Sequence, residues 1–465
     1  MSRSPKTPAP QSADDSSQLA STSTGRGSLL VIFLTVFVDL LGFGMVLPIV
    51  PLYAKSFSEK YALEAWQTGL LIGALMSSFS LMQFLLVPFW GRLSDHYGRR
   101  PIILIGLAGA TFFYALFGVA TAMQSLTLMF VARIGAGIAG ATIATAQAYI
   151  ADSTTTKNRN KGMALIGAAF ALGFTLGPTL GGVAILAGGA IHLSPWPGYA
   201  AGLFSGVALL LAIFCLPESL RPGSEKAHSK LFDREALAAA LRIPTIGTLL
   251  LTSFLAVFSF GNFESTLSLQ IDTMVQKQTS PETTPAFLAS LLRFANWLGH
   301  ESPDNVKLIV VLAVFAYLGL VLTIVQGFVV RRLAGKVPET TMAIIGSVLA
   351  TVGFLILGLA AMRADFHLLL IAMAVEVSGF ALVNPSLQSL ISRRSDPAVQ
   401  GGILGLAQST SSLARILGPV FGNYLFSRSV GAPFWAAAVL MVLAVVMMFF
   451  TIGAKQDFTP ETKAV

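Results

Sequence analysis

The sequence is poor in charge. Only 11% of its 465 residues are Asp, Glu, Lys or Arg, whereas 54% are hydrophobic. A water-soluble domain carries about a quarter of its residues as charges, so this chain has too few polar groups to cover its surface in water. We therefore predict that lipid is its solvent and that it is an integral membrane protein.

Cysteine and histidine are also scarce. Cys215 is the single cysteine, which excludes an intramolecular disulfide framework. The five histidines lack the spacing of metal ligands, and we find no nucleophile with a base and no phosphate-binding loop. The sequence thus predicts no metal, no cofactor and no enzymatic activity. The net charge of +8 is explained by membrane topology rather than by nucleic-acid binding.

Apolar runs of about 20 residues, the length that crosses a bilayer, recur along the whole chain. Twelve can be placed, which predicts an all-α membrane protein with twelve transmembrane helices. The fifth is the least apolar because it is rich in glycine. The predicted spans are 29–51, 67–90, 101–122, 126–150, 162–187, 198–217, 245–271, 306–330, 340–361, 366–391, 400–427 and 432–453.

A polar connection at 218–244 divides the spans into an N-terminal six-helix half, 29–217, and a C-terminal half, 245–453. Leu176-Gly177-Pro178-x-x-Gly181 recurs as Leu417-Gly418-Pro419-x-x-Gly422 in the equivalent helix of the second half. Two related halves of this kind are typical of secondary transporters. The sequence therefore predicts two pseudo-symmetric halves.

The remaining segments are polar. Residues 1–28, rich in Ser, Thr and Pro, are predicted to form a disordered tail, and 454–465 a second tail. A long connection at 273–305 contains a short amphipathic piece at 287–298 without an assigned role.

The basic residues predict the orientation. Of the 30 Lys and Arg residues, 21 fall on the side of the termini, 7 on the opposite side and 2 within the spans. Because cytoplasmic loops carry the excess of Lys and Arg, both termini are predicted to be cytoplasmic.

A charged island, Gly91–Arg100, separates the second and third apolar runs. It is predicted to form a tight turn, with Gly91 and Gly98 allowing close backbone approach. The island resembles the loop signature G-x-L-x-D-r-x-G-R-[RK] of the major facilitator superfamily of secondary transporters. The match covers Gly91, Leu93, Asp95, Gly98, Arg99 and Arg100.

This resemblance implies a transporter of a small molecule that works as a monomer in the lipid bilayer. It also implies a cytoplasmic gate, in which Asp95 meets the start of the eleventh helix and Arg99 meets an acid matched here by Asp152. If the island has no such role, it only retains positive charge on the cytoplasmic side.

Arg133 lies deep in the fourth span, where a guanidinium costs at least ~2.5–3.5 kcal/mol unless it is solvated or paired. We expect it to face a polar cavity or a carboxylate. Its surroundings resemble the fourth-helix motif R-x-x-x-G-x-x-x-A, which the family links to proton coupling, and the stretch through Asp152 resembles the tetracycline-resistance exporters. A purely structural ion pair is the alternative.

Asp39 lies near the middle of the first span, within a stretch that resembles the first-helix motif of drug exporters. The other deep charges are Glu264, Glu376 and Arg415. Three carboxylates thus face two arginines, since Arg133 and Arg415 stay protonated. The surplus carboxylate is predicted to carry a proton, with Asp39 as the first choice and Glu264 as the second.

The fifth helix has a nearly bare glycine face. Close helix packing accounts for it equally well in any membrane protein, but the string also resembles the antiporter motif of the exporting branches and so favours export. Its residues are Gly173, Gly177, Pro178, Gly181 and Gly182.

We therefore predict a proton-coupled exporter of lipophilic or amphipathic molecules such as drugs, in a bacterial inner membrane. The tetracycline exporters have further acids in the third and ninth helices that are absent here, which leaves the substrate open. Uptake of a nutrient such as a sugar, or a non-transporting receptor or scaffold, are the alternatives. The predicted substrate cavity is lined by Asp39, Phe43, Gln83, Gln147, Phe260, Asn262, Glu264, Glu376, Phe380, Asn384 and Gln388.

Overall fold

The computed structural model describes residues 14–154, 159–188, 194–220, 244–277, 286, 289–290, 293, 297, 303–333, 335–395 and 400–452. Throughout these residues the secondary structure consists of helices without strands. We number the helices by membrane span. The N-terminal half contains α1 (Asp14–Val46, then Val50–Lys60), α2 (Ala65–Tyr97), α3 (Arg99–Ala122), α4 (Leu126–Gly140, then Ile143–Ser153), α5 (Arg159–Gly188) and α6 (Trp196–Cys215). The C-terminal half contains α7 (Pro244–Lys277), α8 (Pro303–Ile324, then Val325–Val330 and Arg331–Leu333), α9 (Glu339–Arg363), α10 (Phe366–Arg394), α11 (Gln400–Arg428) and α12 (Ala432–Ile452).

Ten of the twelve helices in the described part of the chain are long and apolar enough to cross a membrane. The other two are α5 and α11, the glycine-rich pair that carries the internal repeat. In α5 the residues whose side chains the structure describes form the shorter apolar stretch Ala171–Ala187. The low hydropathy expected for the fifth helix stays a prediction, whereas α11 has one of the lower mean hydrophobicities of the spans.

Helix α1 departs from the prediction at both ends. It begins at Asp14, so residues 14–28, assigned by sequence to the tail, extend the helix. No proline follows Pro10 there to stop it. After a turn at 47–49 the helix resumes at Val50 with Pro51 in its first turn, a position that proline favours, and continues to Lys60.

The two halves repeat the same contacts. In the first half α1 packs against α5 and α6, and α3 packs against α4 and α6. In the second half α7 packs against α11 and α12, and α9 packs against α10 and α12. Each of these contacts of the first half therefore has a counterpart six helices later, which is the predicted pseudo-symmetry.

Parts of the predicted organisation lie outside the described residues. These are residues 1–13 and 453–465 of the tails, 221–243 of the connection between the halves, and most of 278–302.

Candidate substrate and proton pathway

The two halves meet mainly at one end of the bundle. We call this end, which holds Lys60, the Lys60 face, and the opposite end, which holds Gly98, the Gly98 face. Near the Lys60 face, Lys55 Nζ lies 2.6 Å from Asp272 Oδ2, and Ser268 Oγ donates a 2.7 Å hydrogen bond to Pro48 O. These contacts join α1 to α7 across the boundary between the halves.

Two further helix pairs, α2 with α11 and α5 with α8, hold the halves together. Ser77 Oγ of α2 donates to Ile416 O of α11 at 2.5 Å. A Cβ atom built at Gly73 would lie 2.6 Å from the Cα of Val420, and one at Gly319 would lie 2.5 Å from the Cα of Thr175. At these points only glycine allows the backbones to approach so closely.

Toward the Gly98 face the same helices are further from the opposite half in the described structure. Among the described residues, a Cβ atom built at Gly91 of α2, Gly327 of α8 or Gly405 of α11 meets no neighbouring atom within 4 Å. In the part of the chain that the structure describes, the contacts between the halves thus lie toward the Lys60 face, and we interpret the separation at the other end as a cleft that opens at the Gly98 face. This arrangement is one of the two end states of a transporter whose halves rock about a central site.

Asp39 borders a small cavity in the N-terminal half. The cavity measures about 30 Å³ and lies between α1, α3 and α4, with Thr35, Asp39 and Thr142 as its polar lining. That volume accommodates a water molecule. Thr142 follows Gly140 at the break in α4, so the interruption of this helix lies at the cavity wall.

The glycine face of α5 packs directly on the segment of α1 that carries Asp39. A Cβ atom at Gly173 would lie 3.0 Å from Leu40 Cβ, and one at Gly177 would lie 2.7 Å from Gly44 Cα. Helix α11 repeats this on α7, since a Cβ atom at Gly418 would lie 2.8 Å from Phe258 O. The close packing predicted from the motif is therefore observed, and it fixes the position of α1.

Arg133 is only 2% exposed, yet no carboxylate pairs with it among the described residues. Its guanidinium carbon lies 4.9 Å from the centre of the Phe79 ring, and Nη2 lies 3.5 Å from Met76 O. Nε and Nη1 lack partners in the described structure. Of the two expected environments, a polar cavity or a carboxylate, the carboxylate is not found among the described residues, and a cation–π contact and a carbonyl lie beside Arg133 instead.

Tyr114, which the sequence did not single out, interacts electrostatically with both Asp39 and Arg133. It is a buried residue of α3 whose ring lies 3.4 Å from the Cβ position of Gly42. Tyr114 is thus a third polar side chain near the two charges of this half. A lone tyrosine in an apolar run has no sequence signal for such a position.

The charges of the C-terminal half form a second group. Glu264 of α7 interacts electrostatically with Arg415 of α11 and with Glu376 of α10. Glu376 is 1% exposed. Glu264 Oε1 and Glu376 Oε2 have no hydrogen-bond partner in the described part of the chain, and Arg415 Nη2 donates to Ser412 Oγ at 3.3 Å.

Most side chains predicted to line the substrate cavity are partly exposed, namely Asp39, Phe43, Gln83, Phe260, Glu264, Phe380, Asn384 and Gln388, and Gln147 is more open. The prediction is wrong for Asn262 and Glu376, because both side chains are buried and neither is exposed to the cavity. Asn262 is fully buried, and its Nδ2 donates to Pro433 O at 2.9 Å. Its amide joins α7 to α12, because the bare Gly422 of α11 leaves room for it.

The charged island is shorter than predicted. Helix α2 continues through Gly91 to Tyr97, and the chain reverses at Gly98 alone, where φ is +101°. Gly91 lies inside the helix beside open space, so the close approach expected there is found only at Gly98. Within this turn Arg99 contacts Asp95 at 2.5 Å and Asp152 at 3.1 Å.

Glu218, at the end of α6, completes the turn. Its carboxylate accepts hydrogen bonds from the backbone N–H groups of Arg99 at 2.9 Å and Arg100 at 3.1 Å. A carboxylate at a helix N-terminus satisfies free donors and complements the helix dipole. A Cβ atom at Gly98 would collide with this carboxylate, which gives the glycine a second reason to be there.

The second half contains a counterpart of the Arg99–Asp152 contact with the charges exchanged. Glu339 begins α9 and Arg393 lies near the end of α10, and their side chains meet at 2.8 Å. These helices are equivalent to α3 and α4. The sequence analysis did not single out this pair, because a reversed ion pair does not match the motif.

Comparison with known proteins points to the same family as the sequence motifs. The model of the Major Facilitator Superfamily matches residues 32–419 and 300–464. The chain is 29% identical to tetracycline resistance protein class C of Escherichia coli over 404 residues, 87% of this chain and 91% of that protein. It is 30% identical to major facilitator superfamily domain-containing protein 10 of Mus musculus over 439 residues, 85% of this chain and 86% of that protein. The crystal structure of the human organic anion transporter MFSD10 gives a TM-score of 0.64 at 25% identity and covers 91% of this chain and 99% of that one.

Proposed function

Because this chain belongs to the Major Facilitator Superfamily, whose members are membrane transporters and not enzymes, we propose that it exports amphipathic small molecules in exchange for protons. The observation that carries the proposal is the imbalance of charge inside the membrane. Asp39, Glu264 and Glu376 face only two arginines, and Asp39 borders a water-sized cavity. A surplus carboxylate beside water accepts and releases a proton as its exposure changes.

The direction of transport is supported by relatives and by packing. The relatives include proteins named for resistance to tetracycline, and a transporter protects a cell by removing the drug. The packed glycine face of α5 is the element that resembles the exporters' antiporter motif, with Gly173, Gly177 and Gly181 against α1 and Gly182 against Leu312 of α8. Pro178 lies within this helix.

The charge bias supports a Gly98 face on the cytoplasmic side, with both termini there, and the similarity to tetracycline resistance protein class C of Escherichia coli supports a bacterial inner membrane. The structure would then be open to the cytoplasm. A cysteine at exposed Lys60 is expected to react with an impermeant thiol reagent in intact cells, and a cysteine at exposed His96 is not. The reverse labelling would invert the topology.

We further propose that Asp95, Arg99, Arg100 and Asp152 belong to a gate at the Gly98 face. Arg99 is held by Asp95 and Asp152 within the N-terminal half, and Asp95 is half exposed, with a side chain 52% accessible. An exposed carboxylate on this turn is available to the N-terminus of α11 when the cleft closes.

Asp95→Asn is accordingly expected to slow transport several-fold, because it removes the charge that stabilises the closed gate, while leaving folding and ligand affinity unchanged. Initial rates in proteoliposomes measure the effect. Arg92→Gln, an exposed charge on the same turn without an ion pair in the described structure, serves as the matched control. Equal rates for wild type and Asp95→Asn would reduce the turn to a topological signal.

The proposed function itself is tested in proteoliposomes loaded with labelled tetracycline or tetraphenylphosphonium. An inward-directed proton gradient is expected to accelerate the outward movement of substrate, which is opposite to the flow of protons. Reversing the gradient should reverse the direction of substrate movement. Transport in the same direction as the protons would establish uptake instead. Gradient-independent equilibration of both compounds would exclude coupling to protons.

An organic anion is the competing substrate class, because the structurally similar human MFSD10 is an organic anion transporter. Such a ligand needs an available positive group. Arg133 retains two buried nitrogens without partners in the described structure, and Arg415 is the other candidate.

A further inference from the structure

Two acidic residues and two aromatic rings form one continuous group in the C-terminal half. Phe260 precedes Glu264 by one turn of α7, and Phe380 follows Glu376 by one turn of α10. The two rings stack with their centres 4.0 Å apart and an interplanar angle of 15°. Because the helices run in opposite directions, both rings lie on the Gly98-face side of their carboxylates.

Glu376 is the most enclosed member of this group. It is 1% exposed, and its Oε2 has no partner in the described structure. On the α9 side the backbone of Gly353 packs closely against Glu376: a Cβ atom built at Gly353 would lie 2.6 Å from Glu376 Cα. A buried carboxylate oxygen without a donor is costly, so this position needs either a proton or a cation to neutralise it.

The charges that surround Glu376 leave this need unmet. The titratable groups on the helices packed against α10 near mid-membrane are Glu264 on α7, Tyr317 on α8 and Arg415 on α11. Helix α9 contributes only Glu339 and Arg363 at its two ends. Arg415 interacts with Glu264, and Tyr317 donates its hydroxyl to Leu370 O at 3.3 Å. One negative charge of the pair therefore has no positive partner.

A polar and aromatic stripe leads to this position from the open end of the cleft. Gln388, Asn384 and Phe380 occur every fourth residue on α10 and precede Glu376 on the path inward from the Gly98 face. All three are partly exposed. Residues spaced by four lie on one side of a helix, so a ligand that enters the cleft meets amides first, then the stacked rings and then the acids.

We infer that the partly exposed Phe260, Phe380 and Glu264 contact the positive centre of a lipophilic organic cation, and that the enclosed Glu376 behind them balances its charge. The faces of the two aromatic rings attract the cation through cation–π interactions. The unpaired carboxylate neutralises the positive charge of the cation. A proton on Glu376 satisfies the same carboxylate, so proton and organic cation exclude each other there. The inference rests on the proposed exchange function and specifies its substrate class.

The test uses two probes that match in size and differ in sign, tetraphenylphosphonium and tetraphenylborate. Equilibrium binding to the purified full-length protein needs no gradient and thus tests the site apart from transport. The wild type is expected to bind the phosphonium, with affinity that rises with pH because protons compete, and to bind the borate far more weakly. Absence of phosphonium binding, or preference for the borate, would overturn the cationic assignment in favour of an organic anion.

Variants locate the site. Glu376→Gln is expected to weaken phosphonium binding at least about tenfold and to flatten its pH dependence. Glu264→Gln, whose partner Arg415 would then be released, should weaken it as well but keep a pH dependence. Glu59→Gln, the same change at an exposed acid of α1, serves as the control.

Unchanged phosphonium affinity in Glu376→Gln would overturn the site, whether or not the wild type couples transport to protons. If the wild type binds the phosphonium through Glu376 but does not move it with a proton gradient, the proposed exchange fails and the site stands. Thermal unfolding of each variant in detergent separates lost binding from lost fold, and Glu376→Asp, which retains the charge, should recover part of the affinity.

Discussion

Asp39→Asn is expected to abolish proton-driven accumulation of substrate while leaving the protein folded. The substitution preserves the size and hydrogen-bonding capacity of the side chain and removes its ability to exchange a proton. Because the cavity at Asp39 is also lined by Thr35 and Thr142, the amide still finds polar neighbours. Substrate should continue to equilibrate down its own gradient, so coupling is lost rather than permeation.

Proteoliposomes with an imposed pH gradient measure this loss, and the gradient-independent exchange of labelled substrate is the internal reference. Glu59→Gln, at an exposed position in the same half, should behave as wild type. Full accumulation by Asp39→Asn would show that Asp39 is not the proton carrier. Loss in Glu264→Gln alone would move that role to α7.

The fold was largely predictable because lipid imposes one requirement on every span. Each span needs about 20 consecutive apolar residues, so each helix can be predicted from its own apolar run. The paired motifs at Gly177 and Gly418 reveal the repeat. Breaks within spans were not predictable in this way. The interruptions after Val46 and Gly140 do not change hydropathy, although Pro48 and Pro51 mark the first of them.

The site was predictable where a charge lay inside an apolar run. Asp39, Arg133, Glu264, Glu376 and Arg415 stand out because the membrane makes such residues costly. The distances between these charges could not be predicted from the sequence, and the ion pair considered as the alternative for Arg133 is not present in the described structure.

Residues at the ends of helices carry no comparable signal. Lys55, Glu218 and Asp272 are ordinary in loops and near interfaces, yet the structure places Lys55 and Asp272 across the two halves and Glu218 on the N-terminus of α3. Asn262 shows the opposite error. An amide in a span reads as a cavity residue, whereas here it bonds a carbonyl of α12.

The contact at the Lys60 face depends on glycine, and this gives the second large effect. Gly73→Trp combined with Gly319→Trp is expected to stop transport, because neither position has room even for a Cβ atom. The atoms in the way belong to the backbones of α11 and α5, which cannot turn aside as a side chain can. The halves must therefore separate at the Lys60 face, which favours the state that is closed at the Gly98 face.

The separation is measured with a single cysteine at Ser268, which is fully buried against Pro48 in the present state, in a background where Cys215 is replaced by Ser. An impermeant thiol reagent outside intact cells should label Ser268→Cys rapidly in the double tryptophan variant and slowly without it. Gly247→Trp, at a glycine with open space around its Cβ position, should leave both labelling and transport unchanged. Retained binding of tetraphenylphosphonium would show that the double variant is folded. Slow labelling together with normal transport would mean that the close contacts of Gly73 and Gly319 do not hold the halves together.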